Sequence, residues 1–534
     1  MKKLALLLAA LMVLSLLAAC ADNNQPASTT AAGTTQPAGG TTTQPASTAP
    51  AVVSDRTLSL MSNEALRSLD CFAYSSIRIK WICYQLYEGL IYYNHEDQTV
   101  EPRVAESWSI SDDGLTYSFI LRGGVKFHNG DTVKASDVVY SYERAKSGTA
   151  MGNHIAAVDT VTATDEKTIE IKLKHPSAPF IQFVSEIYVM SEAFLKANDD
   201  MLTNVACGTG PYKLDSCDLN VSVKASVFAD YYRPAPAIQS IEWQIITDSA
   251  AAAMAFQSGD LDYLEVAYSQ YGQFEQDPNI NVGFLPTLHT SYLTFNCTEA
   301  PFDDPRVRQA VSYLINREEV CIATFEGYAD VDSLAMHPKL AGMPPVDALA
   351  AYQFEYNPEK GLALLAEAGF DTSQPIDLGV IKTLPESHYL FKPAQVIQAN
   401  LSKHNVKVEI QPLETATFFE EMFGGKYSMA VCGGSNGADA SGYSITHGSK
   451  AMGQLGGGCS YYVNPRMDEL FELGIAESDP VARGKIYGEI MQILFESCPQ
   501  TGLGHKLQTV AWSKDLNIVL RLDYPLIYEW GFTN

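Results

Sequence analysis

The chain has 534 residues, 46% of them apolar and 18% charged, with 62 acidic against 36 basic side chains and a formal net charge of −26. That length exceeds one compact core and requires two or three domains. An acidic body of this size repels nucleic acid and anionic headgroups, which excludes a nucleic-acid partner and any membrane contact through a basic face.

In chain order, Met1-Lys2-Lys3 is followed by an uncharged run from Leu4 to Ala19 that closes at Leu17-Ala18-Ala19-Cys20. A basic start, an apolar stretch too short to span a bilayer and a small-residue cut site predict an export signal over residues 1–19. The cysteine at the cut resembles a bacterial lipobox, in which Cys20 would carry a lipid and begin the mature chain. Cleavage removes Lys2 and Lys3 but no acid, taking the net charge from −26 to −28. Residues 20–54 form the lipidated cysteine and a linker of Thr, Ala, Gln, Pro and Gly, with Gln-Pro-Ala recurring at 25, 36 and 44. Such a segment buries too little apolar surface to fold. As a flexible tether it spans roughly 35 Å root-mean-square. The expected address is extracytoplasmic, lipid-anchored on the outer face of the cytoplasmic membrane, in a bacterium without an outer membrane. No second apolar run of membrane-spanning length occurs.

Nine cysteines remain beyond Cys20, with no Cys-x-x-Cys and no zinc-finger spacing. Buried thiols with one or two bridges are expected, Cys207 and Cys217 being the nearest pair to test. Their connectivity is not legible in the sequence.

From Tyr84 the chain becomes densely patterned. The Asp112-Asp113-Gly114 turn leads into Leu115, Tyr117, Phe119 and Leu121 at strand alternation, and Asn129-Gly130 signals a tight hairpin turn. Ser136 is expected to cap a helix to about Lys146, and strands follow over 158–173. In the second half, Asp304-Pro305, Asn357-Pro358, Asn464-Pro465 and Asp479-Pro480 each place a capping side chain before a proline at the first helical position. Asn316 with Glu319 resembles a capping box, and Gly369 closes the helix that begins at Pro358. The mixture predicts an α/β body with more than one sheet.

Five blocks then fall in a recognisable order. They are the stretch Tyr84 to Arg144, with Tyr87-Glu-Gly-Leu, Ala105-Glu-Ser-Trp and Val125-Lys-Phe-His-Asn-Gly; Gly208-Thr-Gly-Pro-Tyr-Lys; Gln257-Ser-Gly-Asp-Leu-Asp; Pro301-Phe-Asp-Asp-Pro-Arg; and Asn464-Pro-Arg-Met-Asp-Glu-Leu. From about Leu58 to the C-terminus the chain resembles the large extracytoplasmic solute-binding proteins of ABC importers, the oligopeptide-, dipeptide- and nickel-binding type. The resemblance implies an α/β, two-lobed clamp of the periplasmic-binding-protein kind, with mixed sheets, a hinge and an inserted smaller domain. Lobe one is expected at 55–95, 206–290 and 506–534, the inserted domain at 96–205 and lobe two at 291–505. It implies a monomer without cofactor or catalysis, which captures a small polar solute, most simply a short peptide, and passes it to the permease subunits. A receptor for a nickel chelate or another non-peptide solute is the alternative, and a sensor without transport is a third reading.

In peptide-binding members a lobe-two loop carries a tryptophan and, three residues on, an aspartate that pairs with the peptide amine. Here Gly434 and Gly437 take those places, in Gly433-Gly-Ser435-Asn436-Gly437-Ala-Asp439-Ala-Ser-Gly-Tyr443. Asp439 could serve the amine by a loop shift, or simply bond its own turn. The glycine-rich loop could instead offer free N–H groups to an acidic or polar ligand. Ser435, Asn436, Asp439 and Tyr443 are therefore the lobe-two candidates, and Tyr74 and Ser75 the lobe-one candidates. Gly433-Gly-Ser435-Asn-Gly437 also satisfies a Gly-x-Ser-x-Gly elbow, with His447 and His505 downstream. No good helix text follows it, so hydrolysis at Ser435 is only a remote alternative. No His pair has metal-ligand spacing. Gly208-x-Gly210 runs into a strand, which makes it a turn rather than a nucleotide loop.

Overall fold

The computed structural model describes residues 53–533 except 75, 149, 199–201, 455–456 and 523. The export signal, Cys20 and almost all of the linker lie outside the described residues, as does Ser75.

Four larger sheets organise the chain. The first is built from Ser54–Ser62, Ile238–Ile245, Ser222–Val227 and Tyr212–Asp218, in that spatial order. Its first pair is parallel, with Leu58 opposite Ile241 and Leu60 opposite Trp243. Both leucines are fully buried at period two, worth about 1.5–3 kcal/mol each. A three-stranded sheet places Gln508–Ser513, from the far C-terminus, between Tyr263–Glu265 and Ile280–Leu285. A six-stranded mixed sheet runs Ala329–Asp330, Gln500–Lys506, Thr290–Phe295, Met429–Gly434, Ile376–Thr383, Val406–Pro412. The fourth sheet is antiparallel: Ala105–Ile110, Thr116–Leu121, Thr168–Leu173, Val158–Ala163.

Packing separates these into two lobes. One continuous core joins the first sheet to the antiparallel sheet over 105–173, through Trp81, Tyr87, Phe119 and Phe180, so that sheet packs as part of the first lobe. The six-stranded sheet has its own core around Leu293, Val311, Ile397 and Met429. The helical flank of that lobe buries Met467, Phe471 and Ile490 in another. Two chain segments cross side by side between the lobes: Leu285 faces Gln508 in one sheet and Thr290 faces His505 in the next. Between them the Lys506 N–H donates to the His289 carbonyl at 3.3 Å. Tyr328 reaches from the second lobe onto Tyr268, Tyr271 and Phe284 of the first. Hinged, two-lobed α/β architecture is the result.

Local rules place the helices. Asp304, Asn357, Asn464 and Asp479 each accept N–H groups of the following turn, with proline first in each helix. One start differs from expectation. The helix Ala135–Ser147 begins one residue before Ser136, because the Asp137 carboxylate takes the Lys134 N–H at 2.9 Å and closes the turn from inside. The Asn129-Gly130 turn forms, with Gly130 at φ 91° and its N–H on the Phe127 carbonyl at 2.8 Å. Only the bridge of Lys126 to Thr132 continues it, so no long hairpin develops. Gly208 and Gly210 pass beneath the end of the helix Ile77–Leu86, where a Cβ on Gly208 would stand 2.0 Å from the Leu86 carbonyl oxygen. His128 fixes that turn, its Nε2 3.1 Å from the Gly210 carbonyl and its Nδ1 3.3 Å from the Gly208 nitrogen. All nine cysteines from Cys71 onward are free thiols; Cys207 is buried, and Cys217 lies half-buried on a strand.

Candidate functional site between the lobes

The strand Met429–Gly434 is buried through Cys432 and emerges at Gly433 and Gly434, where the apolar text ends. The loop beyond it turns on Gly437, at φ 90°. It folds back so closely that a Cβ on Gly442 would stand 2.0 Å from the Asn436 carbonyl oxygen. Asn436 Nδ2 donates to Thr446 Oγ1 at 3.2 Å. Ser435 is exposed, and among the described residues its hydroxyl reaches only the Gly437 carbonyl, at 3.5 Å. A Cβ on Gly434 would meet nothing within 4 Å, so the strand ends against open space.

Asp439 is not open to that space. It is buried, caps the short turn Ala440–Tyr443 through the Ser441 N–H at 2.9 Å, and receives both arms of Arg483 at 2.6 and 2.7 Å. Gln182 of the helix Phe180–Glu186 adds a fourth donor at 2.9 Å. A carboxylate with these four donors has little capacity left for a ligand amine. Tyr443 is likewise buried, its ring stacked 5.9 Å from His447 and its hydroxyl pushed up to about 12 by burial. Both residues support the loop from below; Ser435, Asn436 and the glycines form its face.

Behind the loop lies a row of side chains across the sheet. His289 Nε2 is 2.8 Å from the Tyr389 hydroxyl, and a Cβ on Gly433 would touch the His289 ring at 2.8 Å. Burial, with Lys506 next, depresses His289 to about 3, so it stands as a neutral imidazole. The Lys506 ammonium is 5.9 Å from the Tyr389 ring centre. His505 points the other way, into the sheet, with Nδ1 3.1 Å from Thr290 and Nε2 2.6 Å from Asp332. Neither His505 nor His447 hydrogen-bonds Ser435 among the described residues, so no nucleophile–base pair forms there. Among the described residues no three His, Cys, Asp or Glu side chains converge as metal ligands.

On the first lobe Tyr74 is 40% exposed, a large aromatic left in solvent at the start of the helix Ile77–Leu86. Ser76 caps that helix, accepting the Arg78 N–H at 3.2 Å and donating to Glu64. Arg78 forms a two-pronged pair with Glu265 and donates from Nε to Asn63 at 2.9 Å. Burial alone would raise the Glu265 carboxyl, but Arg78 holds it below the usual range. Sequence reasoning missed Arg483, Gln182 and Lys506. Asp479-Pro480 placed Arg483 in the first turn of a helix, but no local pattern named its partner.

A family model for bacterial extracellular solute-binding proteins, family 5 (middle), matches residues 99–453. The chain is 28% identical over 452 residues to the glutathione-binding protein GsiB of Escherichia coli K12, covering 80% of this chain and 85% of that protein. It is 26% identical over 453 residues to the dipeptide-binding protein of the same strain, covering 79% and 83%. Its fold is similar to that of CtaP, an ABC transporter substrate-binding protein from Listeria monocytogenes. The TM-score is 0.78 at 22% identity, covering 90% of this chain and 99% of that one.

Proposed function

The chain belongs to the family 5 bacterial extracellular solute-binding proteins, and on that premise we propose that it captures a short peptide, or a solute of similar size and polarity, between its lobes and hands it to an ABC permease. The glycine-ended strand Met429–Gly434 supports this reading, because at Gly434 nothing lies within 4 Å of a Cβ and the backbone borders open space. Backbone of that kind pairs with an extended peptide by hydrogen bonds that are indifferent to side-chain identity. Ser435, Asn436, Tyr74 and Ser75 would touch the solute, while Asp439 and Tyr443 would hold the loop. Contacts to both lobes exist only when the clamp is shut, so the solute would shift the open–closed equilibrium by that difference. No bond-making step is needed, and the role is binding rather than catalysis. Anchored through Cys20, the clamp would stay within a tether's length of the permease, working as a monomer outside the cell membrane.

Mass spectrometry of solute co-purifying with the Cys20→Ala chain, followed by calorimetry against di- to pentapeptides, tests the proposal. A peptide with Kd below about 100 μM, roughly −5.5 kcal/mol, is expected. Binding of some other solute with no peptide bound at that level would end the peptide reading.

A further inference from the structure

Several buried or half-buried basic side chains of the two lobes have a carboxylate partner. Arg78 pairs with Glu265, Arg483 with Asp439 and Lys80 with Glu186. Lys506 is half-buried too, yet no carboxylate lies within salt-bridge distance of it among the described residues. Lys506 helps to hold the Glu265 carboxyl down from beyond that distance, behind Arg78, and a carboxylate of the solute would give it the direct partner it lacks. Its position is fixed by the crossing segments: Lys506 sits beside His289, one row beyond the pairing of Thr290 with both His505 and Gly434. Strands lie about 4.8 Å apart, so Ser435 falls roughly two strand spacings from Lys506, across His289, within reach of a ligand that touches both. Beyond Gly434, the backbone N–H groups of Ser435, Asn436, Gly437 and Ala438 have no acceptor among the described residues. His289, between loop and lysine, is neutral and adds no competing charge.

We propose that Lys506 is the specificity-determining residue of this cleft and that it pairs with a carboxylate of the solute, whose oxygens also receive the free N–H groups of Ser435 to Ala438. The inference rests on the solute-binding reading above and narrows it to acidic solutes. The amino terminus of a peptide is then dispensable and its carboxylate is not.

Calorimetry of the Cys20→Ala chain with trialanine, N-acetyl-trialanine, trialanine amide and glutarate tests this, repeated with Lys506→Met and Lys506→Arg. The acetylated peptide is expected to bind within about threefold of trialanine, and the amide at least tenfold more weakly. Lys506→Met should weaken the acids at least tenfold and leave the amide unchanged, while Lys506→Arg keeps most of the acid preference and shows that the fold is intact. An amide that binds as well as the acid, or an acid preference that survives Lys506→Met, overturns the proposal. If no tripeptide binds but glutarate does, and binds through Lys506, the peptide reading falls and the carboxylate site stands. If neither tripeptides nor glutarate binds, the carboxylate site is overturned.

Discussion

Gln182 and Asp439, 257 positions apart in the chain, meet at 2.9 Å across the two lobes, on the same carboxylate oxygen that receives Arg483 at 2.7 Å. The helix carrying Gln182 belongs to the first lobe's core through Phe180 and Val184, whereas Asp439 belongs to the loop of the second. A second contact lies close by, from the Ala178 N–H to the Ile475 carbonyl at 2.7 Å. The Asp439 carboxylate therefore joins the lobes and leaves the solute to other groups.

Replacing Asp439 by alanine strands Arg483, whose side chain is only 7% exposed. A broken buried pair costs about 3–5 kcal/mol, so the urea midpoint should fall sharply. Combining Asp439→Leu with Arg483→Met removes both charges and should restore most of the loss. Should Asp439→Ala instead retain wild-type stability while abolishing solute binding, the carboxylate is a ligand anchor after all.

Gln182→Leu keeps the volume but withdraws one donor from a carboxylate that retains Arg483. The contact between lobes should weaken by about 1.5–2 kcal/mol, the lower part of the range for hydrogen bonds to charged groups. Spin labels placed on the two lobes should report a broader distance distribution. An unchanged distribution would mean that the bond carries no share of the lobe contact.

Two glycines should respond in opposite directions. At Gly208 a methyl group would overlap the Leu86 carbonyl and the Tyr87 ring. Gly208→Ala should cost about 3 kcal/mol or more by overpacking. Gly488 lies inside the helix Pro480–Ser497 with nothing within 4 Å of a Cβ. Gly488→Ala should add about 0.5–1 kcal/mol by restricting the unfolded chain. Thermal unfolding of the pair checks both signs.

Acid should destabilise the protein before its carboxylates titrate. Burial holds His128 and His447 down at about 4. Unfolded, each takes a proton below about 6.5, so the unfolded state binds more protons and stability falls as pH drops through that value. Between pH 7.5 and pH 5 each of the two should withdraw about 2 kcal/mol. His447→Phe keeps the stacking on Tyr443 and should remove one share of that loss. Equal acid sensitivity of variant and wild type, in unfolding followed at both pH values, would show that His447 titrates normally.

How much of this was legible in advance depended on how far each determinant acts along the chain. The four Asx-Pro helix starts, the Gly130 turn and the strand over Tyr117 to Leu121 are decided within about five residues, by capping, by allowed φ and by alternation, so the sequence by itself determined them. The ordered blocks from Tyr87 to Asn464 likewise carried the clamp architecture. Ser136 failed as a cap because two acceptors competed for one turn, and Asp137, reaching back to Lys134, had the better geometry.

The site divides on the same line. The glycines at 433, 434 and 437 announced an exposed, close-approach loop, and the loop is there. The state of Asp439 was decided only in the tertiary structure, because its partners arrive from 44 residues downstream and 257 upstream. Lys506 is a lysine at a strand end in the sequence, and a half-buried cation without a salt bridge among the described residues only once both lobes are built around it. Local sterics can be read in a short window of text. The pairing of charges depends on which distant segments fold against each other, and that is set by the packing of whole cores.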